Sequence, residues 1–504
     1  MIDTDRAHGL PLPRLAVLVL FAACATPQAT QTVATKREPG LESMPNRSTT
    51  IRQLPPALDI DPATKVPTAP LEFAIRQPEI VKLKNGIQVY LLPDRTTPLL
   101  LIRALLPNGS ADDPVDKVGL NAIMTVLLAE GGAGTRTPEQ LDELIESRAA
   151  DLSAGAGDEN AVVTLSLRSE DLALLLPAFA DVVQRPRFDE KRFTVVTGRV
   201  FEAIRRREDT PADVASRAVT KAVFGPQSVL GRESTEATVK AITVGDLKKL
   251  HEKTWGSKDA RLIVSGDFDR ATLIPLLEKE FGAWKGGVAP IRKWDAPTPL
   301  TPRLIVVPRK IAQAKVRIGT YGYQRRSEKE YPLRLLATSL GAFGVGRLYK
   351  EIRDERGLAY SANASVSPGP TSGMFVASFD TKPDQVGEAL EVALRILKDS
   401  ATTAPLTAQE LRTAQDMATN AFAFRFEGAA KIALERATFD LLGYPADYLP
   451  QWRAKIGEVK ESDAKTAAAA LTGLQIVIVG PPDKLGDLSR FGSVVTINDV
   501  EQFK

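Results

Sequence analysis

The chain has 504 residues, and at roughly 100–200 residues per domain this length predicts two to four domains. Hydrophobic residues make up 43% and charged residues 25%, which is typical of a globular protein and excludes a collagen-like or largely disordered chain. The 65 Lys and Arg residues nearly balance the 62 Asp and Glu residues, so we expect no nucleic-acid partner. The chain has only two histidines, His8 and His251, and one cysteine, Cys24, which excludes an internal disulfide and a cysteine-rich zinc site.

The N-terminus has the pattern of a secretory signal peptide. An apolar run from Leu15 to Ala23 follows Arg14, and it is far shorter than the roughly 20 residues that span a bilayer. The run ends in Phe-Ala-Ala-Cys, which resembles the lipobox of bacterial lipoproteins. We therefore predict a signal peptide over residues 1–23 and lipid attachment at Cys24, the alternative being a buried cysteine at a helix end. Because Ala25, and not an acidic residue, directly follows Cys24, we expect an outer-membrane anchor that faces the periplasm.

Residues 24–70 are rich in Thr, Pro, Gln and Ser and show almost no apolar periodicity. Such a segment cannot bury enough surface to offset its ordering entropy. We predict a flexible tether that holds the folded body away from the membrane.

The next segment, residues 71–286, alternates strand and helix signals. Asn85-Gly86 lies between two apolar runs and predicts a hairpin. The capping box that starts at Thr137 predicts a helix, and two short strands, 151–156 and 161–167, follow it. Two helices and a closing strand at Arg261–Asp267 complete a first domain.

A proline-rich linker is predicted over residues 287–302, and the pattern then restarts. The run Leu304–Pro308 echoes Tyr90–Pro93, and Leu474–Gly480 echoes Leu262–Gly266. The sequence therefore predicts an α+β protein with two tandem copies of one module, the second over residues 303–504.

Three stretches resemble the insulinase/pitrilysin family, the inverted zinc peptidases that include mitochondrial processing peptidase. They are residues 119–135, residues 246–269 (DLKKLHEKTWGSKDARLIVSGDFD) and residues 347–365 (RLYKEIRDERGLAYSANAS). The resemblance implies two modules, each an antiparallel-dominated sheet covered by helices, that form a clamshell around a substrate chamber.

The resemblance also implies that the zinc motif is lost. Cleaving members carry H-x-x-E-H, in which two histidines bind zinc and the glutamate polarises water. The matching positions here are Ala122, Thr125 and Val126, and none of them can do this. Glu202, 80 residues after Ala122, matches the third zinc ligand, but one carboxylate cannot hold the ion. We interpret Glu202 as a surface or pocket-lining residue, and we expect this chain to bind no metal.

The other half of the family's site is retained. Cleaving members use an Arg and a Tyr, seven residues apart in the C-terminal half, to hold the substrate backbone and stabilise the oxyanion. Arg353 and Tyr360 have this spacing, and Gly357 between them predicts a helix end before a strand. The alternative is an arginine favoured by the helix C-terminus and a half-buried strand tyrosine.

In the family, the substrate peptide lies as an added strand on an edge of the first sheet. The matching segment has small side chains that leave its backbone accessible, the alternative being a glycine-rich bend that binds nothing. It comprises Leu152, Ser153, Ala154, Gly155 and Ala156.

Two functions therefore remain open. The first is a non-zinc subunit that pairs with an H-x-x-E-H-bearing family member, the zinc being in that partner, and that helps to cleave a peptide substrate in the periplasm. The second is a peptide-binding or assembly scaffold with no role in catalysis. An independent metalloprotease would need a metal site that this sequence does not contain.

Overall fold

A computed structural model describes residues 75–503 of the chain. The predicted signal peptide, the tether and Cys24 lie outside the described residues. From Ile75 onward the chain belongs to one compact unit. No helix within the described range is both long and apolar enough to cross a membrane.

The first half of the described chain contains six strands and eight α-helices. The strands are β1 (Glu79–Lys82), β2 (Gln88–Pro93), β3 (Leu99–Leu106), β4 (Asp151–Ala156), β5 (Ala161–Arg168) and β6 (Arg261–Gly266). The helices are α1 (Leu120–Glu130), α2 (Pro138–Glu146), α3 (Leu172–Gln184), α4 (Glu190–Arg206), α5 (Pro211–Phe224), α6 (Glu236–Lys240), α7 (Val244–Thr254) and α8 (Arg270–Phe281).

Within residues 303–503, the second half contains seven strands, six α-helices and one π-helix. The strands are β7 (Arg303–Pro308), β8 (Ala314–Tyr321), β9 (Tyr323–Gln324), β10 (Ala359–Gly369), β11 (Met374–Thr381), β12 (Gln475–Gly480) and β13 (Val494–Thr496). The α-helices are α9 (Glu330–Gly341), α10 (Val386–Ala401), α11 (Ala408–Arg425), α12 (Ala429–Leu441), α13 (Tyr448–Glu458) and α14 (Glu461–Ala469), and the π-helix spans Tyr349–Glu355.

The turn at Asn85-Gly86 and the helix start at Thr137 both form where the sequence predicts them. Gly86 has a φ of +93° in the turn between β1 and β2, which pair antiparallel from Lys82 opposite Gln88. The Thr137 hydroxyl accepts a hydrogen bond from the Gln140 N–H, and the Thr137 N–H donates one to Oε1 of the Gln140 side chain, which starts α2. The predicted hairpin and capping box are therefore confirmed.

The two sheets repeat one strand order, which confirms the predicted α+β class and the tandem modules. The first sheet runs β1-β2-β6-β3-β5-β4 and the second runs β13-β7-β12-β8-β11-β10-β9. In the described first sheet four of five pairings are antiparallel, as predicted. In the described second sheet only three of six are antiparallel, because β13 and β9 add parallel pairs at its two edges.

Each half sends one helix onto the sheet of the other half. Helix α5 buries a row of valines and alanines against Ile305, Val307, Val477 and Val479 of the second sheet. A Cβ at Gly319 would lie 2.5 Å from a methyl group of α5, so the close approach requires glycine there. In return, α12 packs on β2, β3 and β6 of the first sheet. This exchange makes the two halves parts of a single packed body.

Candidate functional site

Helix α1, which carries Ala122, Thr125 and Val126, begins on a buried polar network. The Asp113 carboxylate accepts hydrogen bonds from the backbone N–H groups of Gly119 (2.8 Å) and Asn121 (2.9 Å), and from the Asn121 side chain (2.8 Å). These bonds satisfy donors that a helix start leaves without partners. Burial raises the pKa of Asp113 to about 6, although the hydrogen bonds act in the opposite direction.

The three motif positions offer no metal donor. Ala122 and Val126 are half-buried, and Val126 packs against the first core. Thr125 is fully buried, and its hydroxyl donates to the backbone carbonyls of Asn121 and Ala122, at 3.0 Å each. The donor set therefore does not fit a zinc ion, which needs thiolate, imidazole or carboxylate ligands.

Glu202 lies on the exposed face of α4 and is engaged elsewhere. Its Oε1 accepts a 2.8 Å hydrogen bond from Arg205, which also pairs with Glu236 at 3.1 Å. Across residues 75–503, no group of three or more His, Cys, Asp or Glu side chains is placed to hold a metal ion.

His251 has a structural role. It is buried on α7, with Nε2 2.9 Å from the Val183 carbonyl oxygen. Its ring stacks on Trp255 and meets Phe188 edge-on, with centroid distances of 5.5 Å and 5.9 Å. Desolvation lowers the pKa of His251 and favours the neutral ring.

The predicted substrate edge, Leu152 to Ala156, forms most of β4, the terminal strand of the first sheet. The Gly157 N–H donates a 2.8 Å hydrogen bond to the Asn160 carbonyl, so these two residues form a hydrogen-bonded pair at the end of the antiparallel ladder of β4 and β5. Along such a ladder, hydrogen-bonded pairs alternate with pairs that are not hydrogen-bonded. By this alternation the backbone N–H of Ala154 points away from β5, towards the outer edge. Helix α1 packs on β4, so this edge adjoins the degenerate motif.

The turn that joins β4 to β5 contacts the second half. Glu159 in this turn forms an ion pair with Arg325, which follows β9. Arg292, in the segment between the halves, lies 3.8 Å from the other Glu159 oxygen and pairs with Asp112 at 2.6 Å. The position of the edge hairpin is therefore fixed by charges from both halves.

Arg353 and Tyr360 lie on consecutive elements of the second half. Arg353 is in the π-helix, and its carbonyl accepts a 2.9 Å hydrogen bond from the N–H of Gly357. Gly357 has a φ of +61°, a left-handed conformation that glycine adopts without strain and that ends the helix. Tyr360 follows as the second residue of β10 and is 81% exposed, which differs from the half-buried alternative.

The structure places the two side chains together and adds two aromatic residues that the sequence analysis missed. The Arg353 guanidinium carbon lies 5.4 Å from the ring centroid of Tyr360, 4.6 Å from that of Tyr349 and 5.8 Å from that of Phe343. We call these four residues the arginine cradle. Tyr349 precedes Arg353 by four residues, a spacing that could have indicated the contact, whereas nothing in the sequence indicated Phe343.

The cradle presents hydrogen-bond donors to solvent. The one ion-pair contact of Arg353 in the described part of the chain is with Asp354, at 4.0 Å, which is too long for a hydrogen bond. The guanidinium N–H groups and the exposed Tyr360 hydroxyl are donors of the kind that bind a peptide carbonyl or an oxyanion.

Family models match both halves of the chain. The model described as Insulinase (Peptidase family M16) matches residues 91–233, and the Peptidase M16 inactive domain matches residues 241–418. The chain belongs to the insulinase (M16) family. An uncharacterized zinc protease of Streptomyces coelicolor is 24% identical over 390 residues, covering 74% of this chain and 83% of that protein. One of Mycobacterium bovis is 26% identical over 299 residues, covering 58% and 68%.

Solved structures show the same M16 fold. The inactive domain from Pseudomonas fluorescens has a TM-score of 0.72 at 20% identity, covering 81% of this chain and 98% of that one. A protease from Helicobacter pylori has a TM-score of 0.70 at 20% identity, covering 81% and 100%. A periplasmic protease from Escherichia coli has a TM-score of 0.67 at 14% identity, covering 81% and 46%. This chain is thus a peptidase homologue in which the family's zinc motif is missing.

Proposed function

We propose that this protein is the non-zinc subunit of a heteromeric peptidase. Its partner would be an M16 family member that carries H-x-x-E-H and holds the zinc, and this chain would supply Arg353 and Tyr360 to the substrate. The observation that carries the proposal is the contrast between the two halves. The motif positions on α1 have no metal donors, whereas the cradle has a half-buried arginine beside an exposed tyrosine.

The chemistry of the cradle supports a role in substrate binding. A guanidinium and a phenol both keep their protons at neutral pH, so they can donate to a carbonyl oxygen and to the oxyanion that forms from it. Tyr360 is held at the start of a strand rather than on a mobile loop, which reduces the entropy lost on binding. The β4 edge offers a second contact, because its outward backbone groups can pair with an extended peptide.

We further propose that the protein is attached to the cell envelope through a lipid on Cys24, faces the periplasm and sits in the outer membrane. The structural similarity to a periplasmic protease of Escherichia coli supports the compartment. Replacing Cys24 with Ser should move the protein from the membrane fraction to the soluble fraction, since lipid attachment needs the thiol. Retention of the Cys24→Ser protein in washed membranes would contradict this anchor.

The subunit role is tested by mixing purified proteins. This chain, an H-x-x-E-H-bearing family member from the same cell, and the two together are each assayed for hydrolysis of an unstructured peptide and for zinc content. We expect cleavage to be fast only in the mixture and zinc to be found only with the partner. Hydrolysis and stoichiometric zinc in this chain alone would overturn the proposal, and a stable pair no faster than the partner alone would favour the scaffold function.

A further inference from the structure

We propose that Tyr349 and Phe343 are positioning residues that hold the Arg353 guanidinium in the orientation needed to bind substrate. This inference rests on the proposed function, because it assigns these rings a role in the same site. It does not require either aromatic residue to touch the substrate.

Tyr349 forms the floor of the arginine cradle. It is only 3% exposed, and it opens the π-helix that carries Arg353 four residues later. The π-helix has a wider turn than an α-helix, with hydrogen bonds between residues five apart. This turn brings the guanidinium carbon to 4.6 Å from the Tyr349 ring centroid. A cation at this distance from a ring face is attracted by the quadrupole of the ring.

Phe343 covers a second side of Arg353. Its ring meets that of Tyr349 edge-on, with a centroid distance of 4.8 Å and an interplanar angle of 61°. Phe343 is 78% exposed, so it contributes little to the hydrophobic core. Phe343 therefore contacts the rest of the cradle through its ring, which meets the Tyr349 ring and the Arg353 guanidinium.

Aromatic rings surround Arg353, whereas a carboxylate binds the neighbouring Arg347. Arg347, on the same segment, bonds to both oxygens of Glu410, at 2.6 Å and 2.7 Å. Among residues 75–503, the one carboxylate within ion-pair distance of Arg353 is that of Asp354, at 4.0 Å. A carboxylate partner would occupy the planar N–H fork, whereas a ring leaves the edge of the fork free. The cradle thus fixes the arginine and keeps its donors available.

The test compares ring-deleting and ring-retaining variants in the reconstituted pair. Because Phe343 is exposed, Phe343→Leu should fold normally. Tyr349→Leu removes the floor and Tyr349→Phe keeps it. Phe424→Leu is the matched control, since Phe424 is also an exposed phenylalanine of the second half, at 67%, and lies on α11 outside the cradle. A thermal melt of each variant accompanies the assays.

We expect Phe343→Leu and Tyr349→Leu to lower kcat/KM by about 3- to 10-fold, the scale of a lost cation–π contact. Tyr349→Phe and Phe424→Leu should match the wild type. In the isolated chain with isotope-labelled arginine, the Nε–H resonance of Arg353, identified by its loss in Arg353→Ala, should shift in both ring-deleting variants, because an aromatic ring displaces the resonances of nearby protons.

The outcomes separate this inference from the proposed function. If Arg353→Ala lowers turnover but Phe343→Leu and Tyr349→Leu leave both turnover and the Arg353 resonance unchanged, the positioning role is wrong and the subunit role stands. If Arg353→Ala itself turns over at the wild-type rate, the proposed function is wrong, and the rings have no catalytic arginine to position.

Discussion

The Tyr90 hydroxyl donates a 2.8 Å hydrogen bond to Oδ2 of Asp440, which lies 350 residues later in the chain. Tyr90 is fully buried in β2 of the first sheet, and Asp440 is on α12, the helix that the second half contributes to that sheet. Nearby, the Arg103 guanidinium donates to the Ala430 carbonyl at 3.1 Å. Polar bonds as well as apolar packing therefore join the two halves.

A double-mutant cycle should measure the Tyr90–Asp440 bond. We expect Tyr90→Phe to lower the free energy of unfolding by about 1 kcal/mol, since it removes one buried hydrogen bond while keeping the ring. Tyr90→Phe and Asp440→Asn, compared singly and together by urea denaturation, should be clearly non-additive. Strict additivity would show that the bond contributes nothing to holding α12 on the first sheet.

Arg217 on α5 provides a stronger test of how the halves are held together. It is 5% exposed and pairs with Glu208 and with Glu233, the latter at 2.9 Å, while Glu208 also pairs with Arg309 of the second half. Arg217→Ala removes the buried cation that both carboxylates share and leaves Glu233 with Lys221, at 3.1 Å, and Glu208 with Arg309. We therefore expect a loss of about 3 kcal/mol in the free energy of unfolding, the lower end for breaking a buried ion pair.

The matched control for Arg217 is an exposed arginine of the same region. Arg206 is 77% exposed and lies 3.6 Å from Asp209, so Arg206→Ala should change stability little. Chemical denaturation of both variants measures the difference. Equal losses in the two proteins would mean that burial does not decide the strength of this network.

Asp113 should make stability depend on pH in a direction that is opposite to that of most carboxylates. Burial raises its pKa from the ordinary 3.8 to about 6, so the folded protein binds this proton more tightly than the unfolded chain does. The contribution is fully present below pH 3.8 and is lost as the pH rises through 6. The shift corresponds to about 3 kcal/mol.

Asp113→Asn isolates the contribution of the Asp113 proton to stability. The contributions of the other titrating groups are the same in both proteins and cancel in the difference. The wild-type free energy of unfolding minus that of Asp113→Asn should be larger at pH 4 than at pH 7, by up to about 3 kcal/mol. Urea titrations at the two pH values measure it. A difference that grows with pH would show that the hydrogen bonds from Gly119 and Asn121 outweigh the burial.

Proline at position 154 tests the β4 edge. The N–H of Ala154 points to the outer edge and does not bond to β5, so Ala154→Pro should weaken binding of an unstructured peptide while the fold is kept. Ser153→Pro is the comparison, since the N–H of Ser153 points into the ladder and its loss should destabilise the hairpin. Peptide anisotropy with a circular dichroism spectrum gives both readouts. Unchanged binding by a natively folded Ala154→Pro protein would exclude this edge.

Much of the fold could be predicted because its signals are local. The turn at Gly86 and the cap at Thr137 depend on neighbouring residues, and both lie where the sequence indicated. The exchange of α5 and α12 could not be predicted, because an apolar helix face shows that the helix is buried but not which sheet covers it. Likewise, the contact of Phe343 with Arg353 depends on the π-helix that carries Arg353, and hydrophobic periodicity does not reveal a π-helix.

The most direct test of the composite site is the turnover of the reconstituted pair with Arg353→Ala or Tyr360→Phe in this chain. Each variant removes one of the two donors of the proposed substrate site, so we predict a fall in kcat of about 10²–10³-fold with complex formation and the thermal melt unchanged. Wild-type turnover by both variants, with the partner shown to be bound, would contradict the account and leave the protein as a peptide-binding or assembly scaffold.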